Sequence, residues 1–247
     1  MQPVVFSDLD DTIFQTARKM SVTRQQGATQ ATHALNGSHS YMSTTQQHLL
    51  DWLLQTTRFI PVTARSVDAL QRCKIPFTDY RICTNGAIML KPDNSLDMQW
   101  FEAMKVHATA ASKRLQELLA YVNSDTAAGS FRCWIVQEYD VGFYFCVKSN
   151  AEAVQLDEID QALTDIAGTE LVRHRNDNNL SFTPVDISKR NAVDYLKTQL
   201  INDAGVPVLG MGDSLTDLPF MAACDMLVIP QNSQIDNHRL QLEQVND

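Results

Sequence analysis

The first polar cluster of the chain is Asp8-Leu9-Asp10-Asp11-Thr12, and it directly follows the apolar run Pro3–Ser7. An apolar run this short, bounded by polar residues, is typical of a strand buried in a sheet. Asp8 and Asp10 are two positions apart, so in an extended chain their carboxylates point to the same side. In open α/β sheets, ligands bind in the crevice at the carboxyl ends of the strands. Two carboxylates there repel each other, which favours a divalent cation or a shared proton between them.

Other short apolar runs occur along the chain, and helical patterns of apolar residues separate several of them. These runs are Phe59–Val62, Tyr80–Cys83, Val206–Met211 and Asp225–Ile229. Because strands and helices alternate, the sequence predicts an α/β fold with a parallel sheet.

This alternation of strands and helices breaks at residues 88–179. Apolar residues spaced four and three apart over 104–122 predict one long amphipathic helix. Two aromatic and β-branched runs, Phe131–Gln137 and Gly142–Lys148, follow it and predict a hairpin around a short turn.

A second helix is predicted after the hairpin, because Ser149–Glu152 has the pattern of a capping box and Gly168 would end the helix. Helix, hairpin and helix together predict a small α+β domain. The predicted organisation is therefore a core made of residues 1–87 and 180–247, with an α+β cap of residues 88–179 inserted into it.

Residues 16–45 form a polar segment with few aliphatic side chains. Asn36-Gly37 lies within it between two runs that read as extended, which is a strong hairpin signal. A mobile loop is an equally good interpretation of this composition.

Two further polar positions lie where predicted strands end or predicted helices begin. Thr63-Ala64-Arg65 follows the second apolar run. The Thr63 hydroxyl and the backbone amides at a helix start can hold a phosphate oxygen, although Thr63 or Ser66 could simply cap the helix. Lys189 begins a predicted helix, where a positive charge opposes the helix dipole; this is tolerated more readily when the ammonium meets an anion. A solvated lysine close to Asp186 and Asp194 is the alternative.

A third polar position is Gly210-Met211-Gly212-Asp213-Ser214-Leu215-Thr216-Asp217, which begins at the end of the fourth apolar run. Glycines let the backbone approach a ligand closely. Asp213 and Asp217 could both contribute to a ligand site, but Asp217 also suits the first turn of a helix, where the dipole favours an acid.

In this order, the motifs resemble those of the haloacid dehalogenase superfamily of phosphatases. Asp8–Thr12 is similar to the first motif of that superfamily, and Thr63 is similar to the second. Lys189 is similar to the third, and Gly212-Asp213-Ser214 with Asp217 is similar to the fourth. The resemblance implies a Rossmann-like parallel sheet core with an inserted cap. Thr84-Asn85-Gly86-Ala87 resembles the Cof-type subgroup, which includes sucrose-phosphate phosphatases; trehalose-phosphate phosphatases and phosphomannomutases are near relatives.

The resemblance also implies roles for individual residues. Asp8 would be the nucleophile that forms an aspartyl-phosphate, and Asp10 would be the general acid and base. Mg²⁺ would be bound by Asp8, by the carbonyl oxygen of Asp10 and by Asp213, with Asp217 in or near the coordination shell. The phosphoryl oxygens would be held by Thr63, Ala64 and Lys189. Residues with a possible substrate or hinge role are Arg65, Asn85, Gly86 and Ser214. Arg173 and Arg175 belong to a local basic cluster near the end of the insert, which could meet a second anionic group of the substrate; a solvated surface is the other interpretation.

The chain departs from the Cof-type pattern at four places. Ala64 stands where glycine is usual, Thr216 where asparagine is usual, and Asp11 where glycine is common. The polar segment 16–45 is also longer than the usual connection. None of these departures replaces a central acid, so they bear on substrate contacts more than on the reaction.

Composition limits the possible partners. Of 247 residues, 20 are Lys or Arg and 29 are Asp or Glu, giving a formal net charge of −9. This acidic balance argues against binding to nucleic acid or anionic lipid. No apolar stretch approaches the roughly 20 residues of a membrane span, and the five cysteines show no metal or redox spacing. The cysteine pattern indicates reduced thiols in a cytoplasmic protein. The resemblance implies that this protein, a monomer or small homo-oligomer, acts on a small phosphate ester.

The leading hypothesis from the sequence is a Mg²⁺-dependent phosphatase of a small metabolite, such as a sugar phosphate. A phosphomutase or phosphotransferase using the same aspartyl-phosphate is the alternative among enzymes. A non-catalytic interaction module is the alternative outside enzymes. The presence of Asp8, Asp10, Asp213 and Lys189 argues against it.

Overall fold

The computed structural model divides the chain into two compact units. The residues that it describes are 2–125, 129–176, 178–201 and 205–244. The first unit, called the core unit below, comprises Met1–Asp97 and Lys189–Asp247. The second, called the inserted unit, comprises Met98–Ser188.

The elements follow one another along the chain in three groups. The first part of the core unit contains β1 (Val4–Ser7), β2 (Gln15–Thr16), α1 (Val22–Gln25), β3 (Thr29–Gln30), β4 (Ser40–Met42), α2 (Thr44–Thr56), β5 (Arg58–Pro61), α3 (Val67–Gln71), β6 (Arg81–Cys83) and β7 (Ile88–Leu90). The inserted unit contains α4 (Met98–Asp125), β8 (Phe131–Glu138), β9 (Val141–Ser149), α5 (Asp157–Ala167), β10 (Leu171–Asn176) and β11 (Asn179–Pro184). The second part of the core unit contains α6 (Lys189–Leu200), β12 (Val208–Met211), α7 (Leu218–Met221), β13 (Met226–Val228) and α8 (Gln234–Gln244).

The sheet of the core unit has four parallel strands in the order β13-β12-β1-β5. A parallel bridge between Val62 and Ile82 places β6 beside the end of β5. Every residue of β1 is buried, because a central parallel strand is covered on both faces. This explains why Pro3–Ser7 reads as a continuous apolar run, and it confirms the predicted α/β fold with a parallel sheet.

The polar segment 16–45 forms part of a small antiparallel sheet in the order β2-β4-β3. The hairpin interpretation of this segment is confirmed, but its connection is longer than a two-residue turn. Gly37 has φ +78° and donates its N–H to the carbonyl oxygen of Ala34, so Asn36-Gly37 lies in a turn outside the strand pairs. The paired strands begin earlier than expected, at Thr29–Gln30.

The inserted unit is an antiparallel sheet in the order β10-β11-β9-β8 with α4 and α5 packed against it. Its apolar core joins both helices to the sheet. Among the side chains of this core are Leu115, Leu118, Phe145, Leu163 and Phe182. The single long helix and the hairpin predicted for this part of the chain are α4 and β8–β9.

The boundaries of the inserted unit differ from those expected from the sequence. The unit starts at Met98 and not at residue 88, because β7 pairs with β6 and so belongs to the core unit. It ends at Ser188 and not at residue 179, because β11 pairs with both β10 and β9.

The capping box predicted at Ser149–Glu152 is wrong. Ser149 is the last residue of β9, and its Oγ accepts a hydrogen bond from the N–H of Ala151 at 3.1 Å. A short 3₁₀ turn, Ala153–Leu156, precedes α5. The predicted helix end is confirmed, since Gly168 has φ +58° and donates its N–H to the last turn.

Within the ranges described above, no helix is both long enough and apolar enough to cross a membrane.

Candidate active site

The end of β1 places Asp8 at the carboxyl edge of the parallel sheet. The N–H of Asp8 donates to the carbonyl oxygen of Met211 at 2.8 Å, so the pairing with β12 continues to this residue. The residue is only 6% exposed. Burial is the largest influence on its carboxyl group and raises its pKa well above the usual range. A carboxylate in this position therefore needs positive charge close by.

Lys189, the first residue of α6, supplies such a charge. Its Nζ lies 2.6 Å from Oδ1 of Asp8 and 2.8 Å from Oδ1 of Asp217. The ammonium also lies 5.8 Å from the centre of the Phe220 ring. Burial by itself lowers the pKa of Lys189, but Asp217 and Asp8 outweigh burial and raise that pKa above its usual range. The ammonium is therefore charged, and it bridges two buried carboxylates.

Asp217 is held in the loop between β12 and α7 and is completely buried. Its Oδ2 accepts hydrogen bonds from the backbone N–H of Ser214 at 3.1 Å and from the Ser214 hydroxyl at 2.8 Å. Burial would raise the pKa of Asp217, but Lys189 and Ser214 outweigh it and lower that pKa. Ser214 thus contacts a site carboxylate and fixes its orientation.

Gly212 is required by the close packing of the same loop. A Cβ atom at this position would lie 2.6 Å from Cβ of Asp217 and 2.8 Å from Sδ of Met221. Real Cβ atoms essentially never come this close to other atoms, so only glycine leaves Asp217 where it is.

Asp8, Asp213 and Asp217 together form a cluster of three carboxylates. Each offers an oxygen atom, and these atoms all lie within 4.8 Å of one another. Thr12 joins the cluster, with its hydroxyl 3.3 Å from Oδ2 of Asp8 and 3.4 Å from Oδ1 of Asp213. Three carboxylates and one ammonium, that of Lys189, leave a formal charge of −2.

This surplus of negative charge fits a divalent cation. Burial, followed by Asp217 and Asp11, raises the pKa of Asp213 to about 7. Burial and the neighbouring carboxylates thus outweigh the effect of Lys189 on this carboxyl group. Carboxylate oxygens are the ligands that hard divalent cations prefer. The cluster could therefore bind such an ion.

Asp10 lies outside this cluster of carboxylates and has a different partner. Its side chain is 49% exposed and forms a two-pronged ion pair with Arg65. The Nε of Arg65 lies 2.7 Å from Oδ2 of Asp10, and its Nη2 lies 2.7 Å from Oδ1. The sequence pointed to Arg65 as a possible substrate or hinge residue, and the structure pairs it with the predicted general acid.

The loop after β5 holds the second motif. Thr63 is buried, and its Oγ1 accepts a hydrogen bond from the N–H of Arg65 at 3.1 Å. Ala64, between them, is exposed. Ser66 caps α3 by accepting a hydrogen bond from the N–H of Ala69. Of the two residues that could cap this helix, Thr63 and Ser66, the cap is therefore Ser66.

The turn after β6 contains the predicted hinge residues Asn85 and Gly86. Both have positive φ, at +56° and +95°, and Thr84 before them has φ +52°. A β-branched residue such as Thr84 rarely adopts this conformation. Hydrogen bonds hold the turn, since the N–H of Thr84 donates to Arg65 and the N–H of Asn85 donates to Thr63. The turn after β6 is thus tied to the loop after β5.

Arg173 and Arg175 lie in the inserted unit, where both guanidinium groups contact carboxylates of α5. Nε of Arg173 lies 2.6 Å from Oδ1 of Asp160. Arg175 pairs with Asp157 and Asp160 and donates to the carbonyl oxygen of Ala153. These contacts account for both side chains within their own unit.

Sequence reasoning gave no separate role to several residues that shape the site. Thr12 belongs to the first motif, but its contacts with Asp8 and Asp213 depend on the turn after β1, which the motif alone does not reveal. Phe14 and Phe220 lie beside Arg65 and Lys189, at 4.9 Å and 5.8 Å from the ring centres. An aromatic residue near a motif carries no signal that distinguishes such a contact from core packing.

A parallel sheet with Asp8, Lys189 and two further acids at its carboxyl edge defines a phosphatase of the haloacid dehalogenase superfamily. A family model described as sucrose-6F-phosphate phosphohydrolase matches residues 1–246. The chain belongs to this family, and it is a phosphoric monoester hydrolase of the sugar-phosphatase type.

Solved structures with the same fold are distant in sequence. The sucrose-phosphatase from Synechocystis sp. PCC6803, solved in complex with sucrose and phosphate, is 15% identical, with a TM-score of 0.58 and coverage of 99% of this chain and 98% of that one. The C-terminal domain of trehalose-6-phosphate phosphatase from C. albicans is 13% identical, with a TM-score of 0.55 and coverage of 100% and 78%. A haloacid dehalogenase-like hydrolase from Bacillus subtilis is 14% identical, with a TM-score of 0.54 and coverage of 97% and 85%. No curated protein sequence matches the chain.

Proposed function

We propose that the protein hydrolyses the phosphate ester of a small sugar in a Mg²⁺-dependent reaction, through an aspartyl-phosphate formed on Asp8. The observation that carries this proposal is the buried cluster in which Lys189 bridges Asp8 and Asp217 while Asp213 lies within 4.8 Å of both. A nucleophilic carboxylate can approach a phosphate dianion only where positive charge compensates both. Lys189 supplies one positive charge in this cluster, and a bound divalent cation would supply the rest.

In the first step, a carboxylate oxygen of Asp8 attacks phosphorus and the bond from phosphorus to the sugar oxygen breaks. The carboxyl group of Asp10 gives its proton to the leaving oxygen. The products of this step are the free sugar, the aspartyl-phosphate and the Asp10 carboxylate. Lys189 and the hydroxyl of Thr63 hold the phosphoryl oxygens, where negative charge spreads in the transition state.

In the second step, the Asp10 carboxylate takes a proton from a water molecule whose oxygen attacks phosphorus. The bond from phosphorus to Asp8 breaks, so the Asp8 carboxylate is restored and hydrogen phosphate leaves. Asp10 regains its proton in this step, and the cycle consumes one water for each ester.

Mg²⁺ suits the carboxylate oxygens of Asp8, Asp213 and Asp217, which lie within 4.8 Å of one another. The resemblance to the haloacid dehalogenase superfamily adds the carbonyl oxygen of Asp10 as a further ligand. When bound, the ion supplies positive charge that screens the carboxylates from the phosphate. Ser214 keeps Asp217 oriented toward Lys189, and Gly212 leaves room for that arrangement.

The substrate class follows from family membership, and the inserted α+β unit is proposed to be the cap that selects the sugar. Sucrose 6-phosphate is the first compound to test, because the matching family model describes its hydrolysis. Trehalose 6-phosphate and hexose phosphates complete a panel that distinguishes disaccharide from monosaccharide esters.

The test measures inorganic phosphate released from this panel with Mg²⁺ and with a chelator. We expect release that depends on Mg²⁺ and that falls by at least about 10³-fold in Asp8→Asn, since no nucleophile is left. Undiminished turnover by Asp8→Asn would overturn the mechanism. Conversion of one sugar phosphate into an isomer without phosphate release would instead support the phosphomutase alternative.

A further inference from the structure

The contact between Arg65 and Asp10 has the geometry of a positioning device. Both oxygens of Asp10 accept hydrogen bonds from one planar guanidinium group, each at 2.7 Å. A two-pronged contact of this kind fixes the plane of the carboxylate, which a single hydrogen bond does not. Without it, Asp10 is a short side chain with half of its surface in solvent and free to rotate.

Arg65 is itself held from several sides. Its guanidinium carbon lies 4.9 Å above the centre of the fully buried Phe14 ring. Its N–H donates to the Thr63 hydroxyl, and its carbonyl oxygen accepts from the N–H of Thr84 at 2.8 Å. Its side chain is 18% exposed. The arginine is therefore a fixed support, anchored to the loops after β5 and β6.

Phe14 connects this support to the catalytic turn. The N–H of Asp11 donates to the carbonyl oxygen of Phe14 at 2.7 Å, so the ring under Arg65 belongs to the turn that presents Asp10. Arg65 thus contacts the turn at two places, the carboxylate of Asp10 and the ring of Phe14.

We propose that Arg65 is a positioning residue that holds Asp10 in the orientation needed for proton transfer to the leaving sugar oxygen. This inference rests on the proposed function, in which Asp10 is the general acid and base. Each carboxylate oxygen has a second lone pair that the guanidinium does not use. That lone pair carries the proton to the leaving oxygen in the first step and accepts one from water in the second.

The proposal differs from a direct contact between Arg65 and the substrate. The two donors that form the prongs face Asp10, so Arg65 acts on the reaction through this carboxylate. A positioning role predicts an effect that depends on how much the leaving group needs a proton. An alkoxide leaving from a sugar needs one, whereas the nitrophenolate of p-nitrophenyl phosphate is stable without it.

The experiment compares kcat/KM for a sugar phosphate and for p-nitrophenyl phosphate in Arg65→Gln and Arg65→Lys. The parameter kcat/KM covers the steps up to departure of the alcohol, so it isolates the acid role of Asp10. We expect Arg65→Gln to lose on the order of 100-fold on the sugar phosphate and much less on the aryl ester. Arg65→Lys keeps the charge but offers no planar fork, and its loss should be intermediate.

Arg58→Gln is the matched control. Arg58 forms the same two-pronged pair with Asp79, at 2.7 and 3.0 Å, but it begins β5 whereas Arg65 follows its end. We expect its removal to lower kcat/KM for both esters equally or not at all. Thermal unfolding checks that every variant is folded. If Arg65→Gln does not fold, Arg65→Lys is compared with the unsubstituted protein on both esters.

Equal losses on both esters in the Arg65 variants would overturn the proposal and assign Arg65 a structural role. A rise in KM alone on both esters would also overturn it, in favour of direct substrate binding. Failure of the proposed function itself has a different signature. In that case Asp8→Asn would retain its activity, whatever the Arg65 variants do.

Discussion

At the scale of single residues, identical side chains behave differently because their partners differ. Burial raises the pKa of Asp8 and that of Asp213, whereas contacts with Lys189 and Ser214 outweigh burial and lower the pKa of Asp217. Asp217 therefore keeps its negative charge more readily than an ordinary aspartate, whereas Asp8 and Asp213 keep theirs less readily. A glycine is also important at this scale, because a side chain on Gly212 would collide with Asp217 and displace its carboxylate.

Gly212→Ala tests this packing. The added Cβ would lie 2.6 Å from Cβ of Asp217, so we expect that carboxylate to move and divalent-cation affinity to fall on the order of 10- to 100-fold. Isothermal titration with Mg²⁺ measures the change. Gly142→Ala is the control, since its Cβ meets Ile135 at 2.8 Å in the inserted unit and should cost stability without altering Mg²⁺ binding. Unchanged affinity in Gly212→Ala would contradict the role of this glycine.

At the scale of elements, the start of α2 has a clear local cause. Ser43 begins α2 as a complete capping box, in which Ser43 Oγ accepts from the N–H of Gln46 and Gln46 Oε1 accepts from the N–H of Ser43. The amide of Gln46 also reaches the carbonyl oxygen of Thr12 at 3.5 Å. The start of α2 therefore supports the turn that carries Thr12.

Ser43→Ala should destabilise the protein by about 1 kcal/mol, because two N–H groups at the helix start lose their arrangement. Urea unfolding measures this loss. Ser21→Ala is the matched comparison: Ser21 caps the four-residue α1 at the surface, and its removal should have a smaller effect. A larger loss for Ser21 than for Ser43 would contradict this account of α2.

The sequence predicted elements well where one local rule decides them. The short apolar runs gave the parallel strands, because a central strand such as β1 must be apolar on both faces. The capping box expected at Ser149–Glu152 failed because Ser149 pairs with Phe131 across β8 and β9, which a local pattern does not reveal.

Among site residues, Asp8, Lys189, Asp213 and Asp217 were predicted as a group and are brought together. The pairing of Asp10 with Arg65 was not predicted, because it depends on contacts between the loops after β1, β5 and β6.

At the scale of the whole molecule, the charge surplus of the site links metal binding to stability and to pH. The pKa of Asp213 is about 7 in the folded protein, against an ordinary value of 3.8. Without a cation, the folded chain therefore holds a proton that the unfolded chain releases across this range. The contribution of Asp213 to the free energy of unfolding then falls as pH rises from about 3.8 to about 7, because its carboxyl group binds fewer protons in the unfolded state there.

A cation that requires the Asp213 carboxylate should reverse this dependence. We expect the rise in Tm on adding Mg²⁺ to be larger one pH unit above the pKa of Asp213 than one unit below it, since binding then displaces no proton. Thermal unfolding with Mg²⁺ and with a chelator at both pH values measures it. Asp213→Asn should largely remove the rise in Tm. A rise in Tm that is equal at the two pH values would contradict the link.

The central place of β1 in the sheet has a consequence for synthesis on the ribosome. One edge of β1 pairs with β5 soon after it in the chain, but the other edge waits for β12, residues 208–211 of 247. The inserted unit is continuous from Met98 to Ser188, so its own core can assemble while that edge is still open. Asp8 and Lys189 are 181 positions apart and meet only after this interval. The nascent chain thus exposes an unpaired edge of an apolar strand, a template for unwanted pairing, until β12 is translated.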